Sequence, residues 1–336
     1  MYTYRAYGLN CESDAAIPGL HIGSPKPEQI DLRITLARMP PEWVKAAYLL
    51  PASFIYSRPA ALENPAYTVT SLGGGAYFEL RYVDGTRFIV PKAGDRLWVS
   101  HAAPLTMDDI AVYLRGPVMG FVLQCRGVTA LHASTVCMSG RAIALCGTKE
   151  SGKSTTAAAL SLRGAPVLCE DIAALNEEDG MVQVEPGYPR ICLWPEAVQA
   201  LFGTRDALPR LTPTWEKCFL KLGNRSTKFE TERRPLGGVY VLAPRVDEND
   251  APRVEEMSNR QALLDLIQNT YMNWLLDRRQ RAAEFEKLSR LVLQVPLRRI
   301  VPHLDPARIM ALCDLIEEDV DRLLLGTHSG AQVSNH

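Results

Sequence analysis

Over the first hundred or so residues, apolar and polar positions alternate in short runs, the two-residue period of strands whose two sides meet different surroundings. The clearest case is Tyr77-Phe-Glu-Leu-Arg-Tyr-Val83, then Asp84-Gly85, then Thr86-Arg-Phe-Ile-Val90. Both arms carry β-formers, and Asp-Gly can supply the positive φ angles of a type I′ turn, so the segment predicts a hairpin. Asp31 to Ala37 and Asp95 to Ser100 predict further strands. Gly73-Gly74-Gly75 marks a turn and not a phosphate loop, because it does not follow a strand and open a helix. Thr106-Met-Asp-Asp109 has the layout of a capping box, with Asp in the Glu position, and predicts two short helices broken at Gly116-Pro117.

Near Gly127 the pattern changes. Unbroken apolar runs at Val128–Met138, Arg141–Cys146 and Ala165–Leu168 predict strands, with a helix from Gly152 to about Leu162 closed by Arg163-Gly164. Strand, helix and strand at that spacing form a βαβ unit. Met181–Val184 and Gly237–Leu242 predict two more strands, and Pro195 opens a helix that Gly203 closes. The last third reads as helical. Ser258-Asn-Arg-Gln261 caps a helix reaching about Leu276, and Asp305-Pro306 starts another that Gly326 ends. The expected fold class is therefore α/β. Residues 1–126 form a β-rich N-terminal domain with bridging helices, 127–326 an α/β domain with a helical C-terminal part, and 327–336 a flexible tail. No internal repeat or low-complexity tract interrupts this plan.

A length of 336 residues suits two domains. A net charge of −1 provides no global field for nucleic acid or an anionic membrane, so neither is expected as a partner. The longest charge-free apolar stretches, such as Gly116 to Cys125, fall far short of the roughly 20 residues that span a bilayer. The opening MYTYRAYGLN lacks a signal-peptide layout, which points to the cytoplasm. The eight cysteines form no C-x-x-C pair and sit mostly in apolar runs, the pattern of buried free thiols in a reducing compartment and not of a zinc site.

The chemistry concentrates in the α/β part. Gly147-Thr148-Lys149-Glu150-Ser151-Gly152-Lys153-Ser154, followed by Thr155, fits G-x-x-x-x-G-K-[ST] between a strand and a helix. Glycines there let backbone N–H groups turn inward around phosphate oxygens, and the helix N-terminus adds its positive end. Lys153 reaches the β- and γ-phosphates in such a loop, and the Ser154 hydroxyl ligates Mg²⁺. Glu170-Asp171 ends the next strand, and the carboxyl end of a strand beside the loop strand opens onto the phosphate site. One carboxylate there can hold Mg²⁺ while the other accepts a hydroxyl proton. His132 lies inside an apolar run, where a core histidine is the ordinary reading. Arg190 can clamp a phosphate through its planar fork, and Lys217 can reach nucleotide or substrate, though both positions also suit surface residues. Arg278-Arg279-Gln-Arg281 reads as a solvated helix face, and Trp194, Trp215 and Trp274 read as core.

Taken together, Leu131-His132-Ala-Ser134, Gly147 to Thr155, Arg163-Gly164 and Glu170-Asp171 resemble the catalytic domain of the HPr kinase/phosphorylase family, over about residues 115–200. Tyr4-Arg-Ala-Tyr-Gly-Leu9, Pro186-Gly-Tyr-Pro-Arg190 and Leu193-Trp-Pro195 resemble the shorter HPr-kinase-like proteins found beside peptide-modification genes, some of which phosphorylate a serine of a lasso-peptide precursor. The resemblance implies a serine kinase that uses ATP and Mg²⁺ and acts on a peptide or protein. It makes Lys153 the loop lysine, Ser154 and Asp171 the magnesium ligands, Glu170 the base, and His132 the residue that orients or tunes that base. Four departures stand out. Glu170 replaces an aspartate, Lys149 and Glu150 replace small neutral residues, Thr155 replaces a metal-binding glutamate (which argues against reverse phosphorylase activity), and no close match to the family's C-terminal signature occurs. A small-molecule kinase, with a nucleotide site related to that of the phosphoenolpyruvate carboxykinases, and a non-catalytic nucleotide-binding regulatory module remain open alternatives, as does a homo-oligomer.

Overall fold

In a computed structural model, which describes residues 1–20, 27–36, 39–58, 67–213 and 215–329, the N-terminal alternation becomes one sheet. The chain divides into two units, Met1–Val128 and Thr129–His336. The first contains β1 (Tyr2–Ala6), β2 (Leu9–Ser13), β3 (Leu32–Thr35), α1 (Pro41–Ala47), β4 (Ser53–Arg58), β5 (Tyr67–Leu72), β6 (Tyr77–Tyr82), β7 (Arg87–Pro91), β8 (Arg96–Ser100), α2 (Met107–Tyr113) and α3 (Met119–Cys125). Its strands follow the order β1-β2-β3-β8-β7-β6-β5-β4, parallel only where β3 meets β2 and β8. The helices cover the sheet through aromatic rings: Phe121 meets Phe78 edge-on and Tyr113 stacks on Tyr82. Of the segment expected as a strand at Asp31–Ala37, Ala37 lies outside the described residues.

The expected hairpin forms, but its turn is not type I′. Only Gly85 has positive φ, at 89°, whereas type I′ needs it at both central residues. The Tyr82 carbonyl accepts from Gly85 N–H at 3.1 Å and Tyr82 N–H donates to the Thr86 carbonyl at 2.8 Å, which makes a three-residue loop closed by a glycine bulge. Asp84 instead uses its carboxylate, accepting from Thr86 N–H and from the Tyr113 hydroxyl. The capping box at Thr106 and Asp109 is present. Gly116-Pro117 does not break the helix, because a π turn over Leu114–Val118 carries it through and its wider spacing accommodates the missing proline N–H.

The second unit contains β9 (Thr129–Leu131), β10 (Ala133–Met138), β11 (Arg141–Gly147), α4 (Lys153–Leu162), β12 (Val167–Cys169), β13 (Ala173–Glu178), β14 (Met181–Val184), β15 (Arg190–Leu193), α5 (Pro195–Phe202), β16 (Cys218–Lys221), β17 (Arg234–Leu242), β18 (Arg253–Glu256), α6 (Asn259–Gln268), α7 (Arg278–Gln294), β19 (Leu297–Val301) and α8 (Ile309–Ser329). Its main sheet runs β12-β10-β11-β17-β14-β13-β9, with β19 also on β17 and β18 beyond it, while β15 and β16 form a separate ribbon. Both faces are covered. Ile143, Leu145 and Tyr240 pack with α4 and with Leu312, Cys313, Ile316 and Val320 of α8. Ala142, Ala144, Val239 and Val241 pack with Ala262 and Leu266 of α6 and Leu288 and Leu291 of α7. The sheet is thus buried on both sides, which is why its strands read as unbroken apolar runs.

Several expectations need correction. The Val128–Met138 run is two strands, split at His132. The βαβ unit exists, but β10 is inserted between β11 and β12. The helix opened by Ser258 stops at Gln268, not near Leu276, and the last third also carries β18 and β19. Gly326 does not end α8, which runs to Ser329. A helical glycine costs only about 1 kcal/mol, less than the buried face of α8 supplies. Residues 330–336 of the expected tail lie outside the described residues. Trp194, Trp215 and Trp274 are half-buried and not core. The cysteines are free, all buried except the half-buried Cys125, and burial pushes the Cys146 and Cys169 thiols up to about 12.

Candidate active site

Strand direction brings the candidate residues to one edge. β11 and β17 are parallel, and β12 runs the same way because β10 is antiparallel to both β11 and β12. The carboxyl ends of these three strands therefore deliver the glycine loop, the Glu170-Asp171 pair and the segment leading to Arg245 to the same side. β10 runs in reverse, so its beginning reaches that edge. Ala133 pairs with Cys146, which sets His132 level with Gly147.

His132 and Asp171 meet at a fault in a ladder. Leu131 pairs with Ala173, and Thr135 with Cys169, in one shared register that would pair Ala133 with Asp171 if it continued. Instead Asp171 takes a left-handed φ of 68° and both chains change partners there. Such a conformation costs of the order of 1 kcal/mol, least for Asp and Asn among side-chain-bearing residues. It leaves His132 Nδ1 3.1 Å from the Asp171 carbonyl and 3.1 Å from its Oδ1. Both of those atoms only accept, so their positions assign the hydrogen to Nδ1.

The loop is built around two obligatory glycines. Gly147 has φ 142°, and a Cβ there would come within 2.8 Å of the Leu242 carbonyl. Gly152 has φ 103°, and a Cβ there would come within 3.0 Å of the Arg245 guanidinium. Lys153 is buried and its amine donates to the carbonyls of Gly147 at 2.8 Å and Thr148 at 2.9 Å, spanning the loop. Burial pushes its pKa down, opposed by the charges of Asp171 and Glu170. Lys149 and Glu150 are exposed and pair with each other at 3.3 Å, which explains why charged residues are tolerated there. The Ser151 N–H donates to the Thr148 carbonyl, and the Ser151 hydroxyl is buried without a partner. Ser154 and Thr155, in the first turn of α4, are half-buried.

The two carboxylates have opposite environments. Glu170 is buried, accepting from the Ser154 hydroxyl at 3.0 Å and from the Tyr188 hydroxyl at 3.1 Å. Burial raises its pKa against the lowering charge of Lys217, and the neighbouring Asp171 raises it further. Asp171 is about one-third exposed, at 30%. Burial alone would raise its carboxyl, but the hydrogen bond and charge of His132, with the charges of Lys217 and Lys153, bring it down to about 2. The Tyr271 hydroxyl donates to Asp171 Oδ2 at 3.3 Å. Ser154 thus pairs with Glu170, not with Asp171. Lys217 lies over the Trp194 ring at 5.3 Å, and Arg190 is held over the Phe219 ring at 4.1 Å.

Arg245, Asn269 and Tyr271 join these residues without having been singled out from the sequence, and Tyr188 stood out there only as part of the Pro186–Arg190 motif. Asn269 accepts from Gly147 N–H through its Oδ1 at 2.9 Å. Its one sequence signal is that asparagine is a usual helix-ending residue, masked by the apolar pattern that continues to Leu276. Among the described residues no three His, Cys, Asp or Glu side chains gather as a metal cluster, and no helix is long and apolar enough to cross a membrane.

No protein-family description matches this chain, and no curated protein does. The solved structure of the Hpr(Ser) kinase/phosphatase from Coxiella burnetii is similar over 62% of this chain and 99% of that one, at 14% sequence identity and a TM-score of 0.34. At that score the likeness carries no argument about function.

Proposed function

We propose that this chain is an ATP-dependent kinase that transfers the γ-phosphoryl group to a serine hydroxyl of a peptide or protein. The observation that carries the reading is one sheet edge holding a buried lysine across a glycine loop at a helix N-terminus, beside two carboxylates bonded to different partners. The residues fit ATP and Mg²⁺. The loop 147–155 offers backbone donors and a helix N-terminus to phosphates. A serine–carboxylate pair at 3.0 Å suits Mg²⁺, which binds through one or two carboxylates and keeps water and phosphate oxygens as its other ligands. When bound, Mg²⁺·ATP supplies the phosphoryl group and neutralises its developing charge.

The chain's own residues divide the remaining work. Lys153 offers its donors to the phosphates, and Arg245, beside Gly152, adds a planar cation. Ser154 and Glu170 would hold the metal. Asp171 takes the acceptor proton, because its carboxylate is part-exposed and ionised while Glu170 is buried against Ser154 and Tyr188. His132 holds Asp171 in place and in its charged form. This division reverses the roles that the resemblance implies for Glu170 and Asp171. Transfer is direct, by positioning and electrostatics, without a covalent enzyme intermediate. Lasso-peptide precursors are among the acceptors to be tried, on the strength of the N-terminal and Pro186–Arg190 resemblance alone.

Intact mass spectrometry of serine-bearing peptides, lasso-type precursors and small hydroxyl metabolites, mixed with the protein and Mg²⁺·ATP, tests this reading. A phosphoryl-sized gain on a peptide is expected, slowed about 100-fold or more by Asp171→Asn. Gain on a metabolite alone would make it a small-molecule kinase, and ATP binding without any transfer would make it a regulatory module.

A further inference from the structure

The turn that ends α6 touches both halves of the site. Asn269 bonds in three directions. Its Nδ2 donates to the Asp265 carbonyl at 2.7 Å, closing the helix end, and its Oδ1 accepts from Gly147 N–H at 2.9 Å, at the mouth of the phosphate loop. Its backbone carbonyl accepts from His132 N–H at 2.7 Å. Two residues on, Tyr271 N–H donates to the Ala130 carbonyl at 2.7 Å, and Thr270 bridges Leu131, so the segment pairs like a short strand along the end of β9. That pairing aims the Tyr271 hydroxyl at Asp171 Oδ2 and sets its ring 5.8 Å from the His132 ring.

We propose that Asn269 and Tyr271 are positioning residues that fix the phosphate loop and the His132–Asp171 pair in one frame. Asn269 sets the loop and Tyr271 sets the carboxylate. The proposal rests on the kinase reading of the same site, and it explains why α6 stops short of its own apolar pattern. Continuing the helix through Asn269 would carry both side chains away from these partners. Gly147 is tied on both sides by this device, since its N–H goes to Asn269 while its carbonyl receives Lys153. An Asn269→Ala loop keeps Lys153 but loses the anchor of its first amide. Asp171 also faces Lys153 from α4, Lys217 before β16, Glu170 beside it and His132, so Tyr271 is not what ionises it. What Tyr271 adds is direction, because it engages the oxygen that His132 does not.

The two roles separate kinetically. Titration calorimetry with Mg²⁺·ATP on the full chain should show affinity falling about tenfold in Asn269→Ala, the worth of one hydrogen bond in a phosphate site. Tyr271→Phe should bind ATP like wild type, within about twofold, and lose about tenfold in kcat at unchanged KM for ATP. Ser258→Ala is the structural control. It removes the cap at the far end of α6, lowers the melting temperature and leaves both affinity and kcat alone. Wild-type affinity in Asn269→Ala, or wild-type kcat in Tyr271→Phe, would overturn the corresponding half. If Ser258→Ala weakens ATP binding as much as Asn269→Ala does, general loosening of α6 is the cause and the proposal fails. A wild-type protein that binds ATP but phosphorylates no acceptor sinks the kinase reading and the Tyr271 half with it, while the Asn269 half still stands or falls on affinity.

Discussion

Glu170 shows how a site residue works against the stability of its own fold. Its carboxyl is buried and its folded pKa lies above the ordinary 4.5. The fold therefore gains most from this residue below pH about 4.5, where it is protonated folded or unfolded, and that gain is lost as pH rises through the raised value. Without a metal, the folded protein above pH about 4.5 carries the penalty of burying this group, either as a poorly solvated charge or as a proton that the unfolded chain would release. Glu170→Gln keeps one acceptor oxygen, puts an N–H donor that a hydroxyl can accept at the other contact, and removes the charge. We expect it to melt about 2 °C or more above wild type at pH 8, with the difference gone by pH 4, and to lose phosphoryl transfer. Thermal melts across that pH range, without metal, check this; a variant less stable than wild type at pH 8 would show that the charge is not what costs stability. Asp171 has the opposite sign. Its pKa of about 2 lies below the ordinary 3.8, so its ionised form stabilises the fold above pH about 4 and that contribution disappears as pH falls toward 2. Two adjacent carboxylates with opposite environments are the arrangement expected of groups given different tasks.

At the scale of elements, local signals succeeded where local chemistry decides. Thr106 and Asp109 close a reciprocal capping box, with the Thr106 N–H donating to Asp109 Oδ2 at 2.8 Å. Thr106→Ala should cost about 1 kcal/mol in denaturant unfolding, and a change within error would mean that α2 is held by its aromatic packing alone. The glycine loop, its helix and the acidic pair were legible for the same reason, since glycine, lysine and carboxylate at those spacings have a local chemical meaning. What escaped the sequence depends on distant partners. Nothing near Val128–Met138 signals that the run must split at His132, because the split comes from the left-handed Asp171 in the bend between β12 and β13, some forty positions away. After Ser258 only the asparagine at 269 hints at a stop at Gln268, and the apolar pattern masks it, because the bonds that take Asn269 out of the helix go to Gly147 and His132. The inserted β10 escaped likewise, since β11, α4 and β12 look alike in sequence whether or not a strand lies between them. The division of labour proposed for Glu170 and Asp171 was not legible either, because it turns on which carboxylate Ser154 and His132 reach.

At the scale of the whole molecule, the residues assigned to nucleotide, metal and proton transfer all belong to the unit that begins at Thr129, and the eight-stranded sheet of the first unit contributes none of them. The proposed chemistry therefore depends on the second unit's loop being a nucleotide site. Isothermal titration of Mg²⁺·ATP into the full chain, beside Lys153→Ala, tests that most directly. Lys153 is buried across the loop and has no core apolar role, so its loss should leave the fold intact. We expect saturable one-to-one binding in the wild type and a loss of affinity of at least about a hundredfold in the variant, as when a charged donor leaves a phosphate site. No binding by the wild type, or equal binding by both proteins, would contradict it.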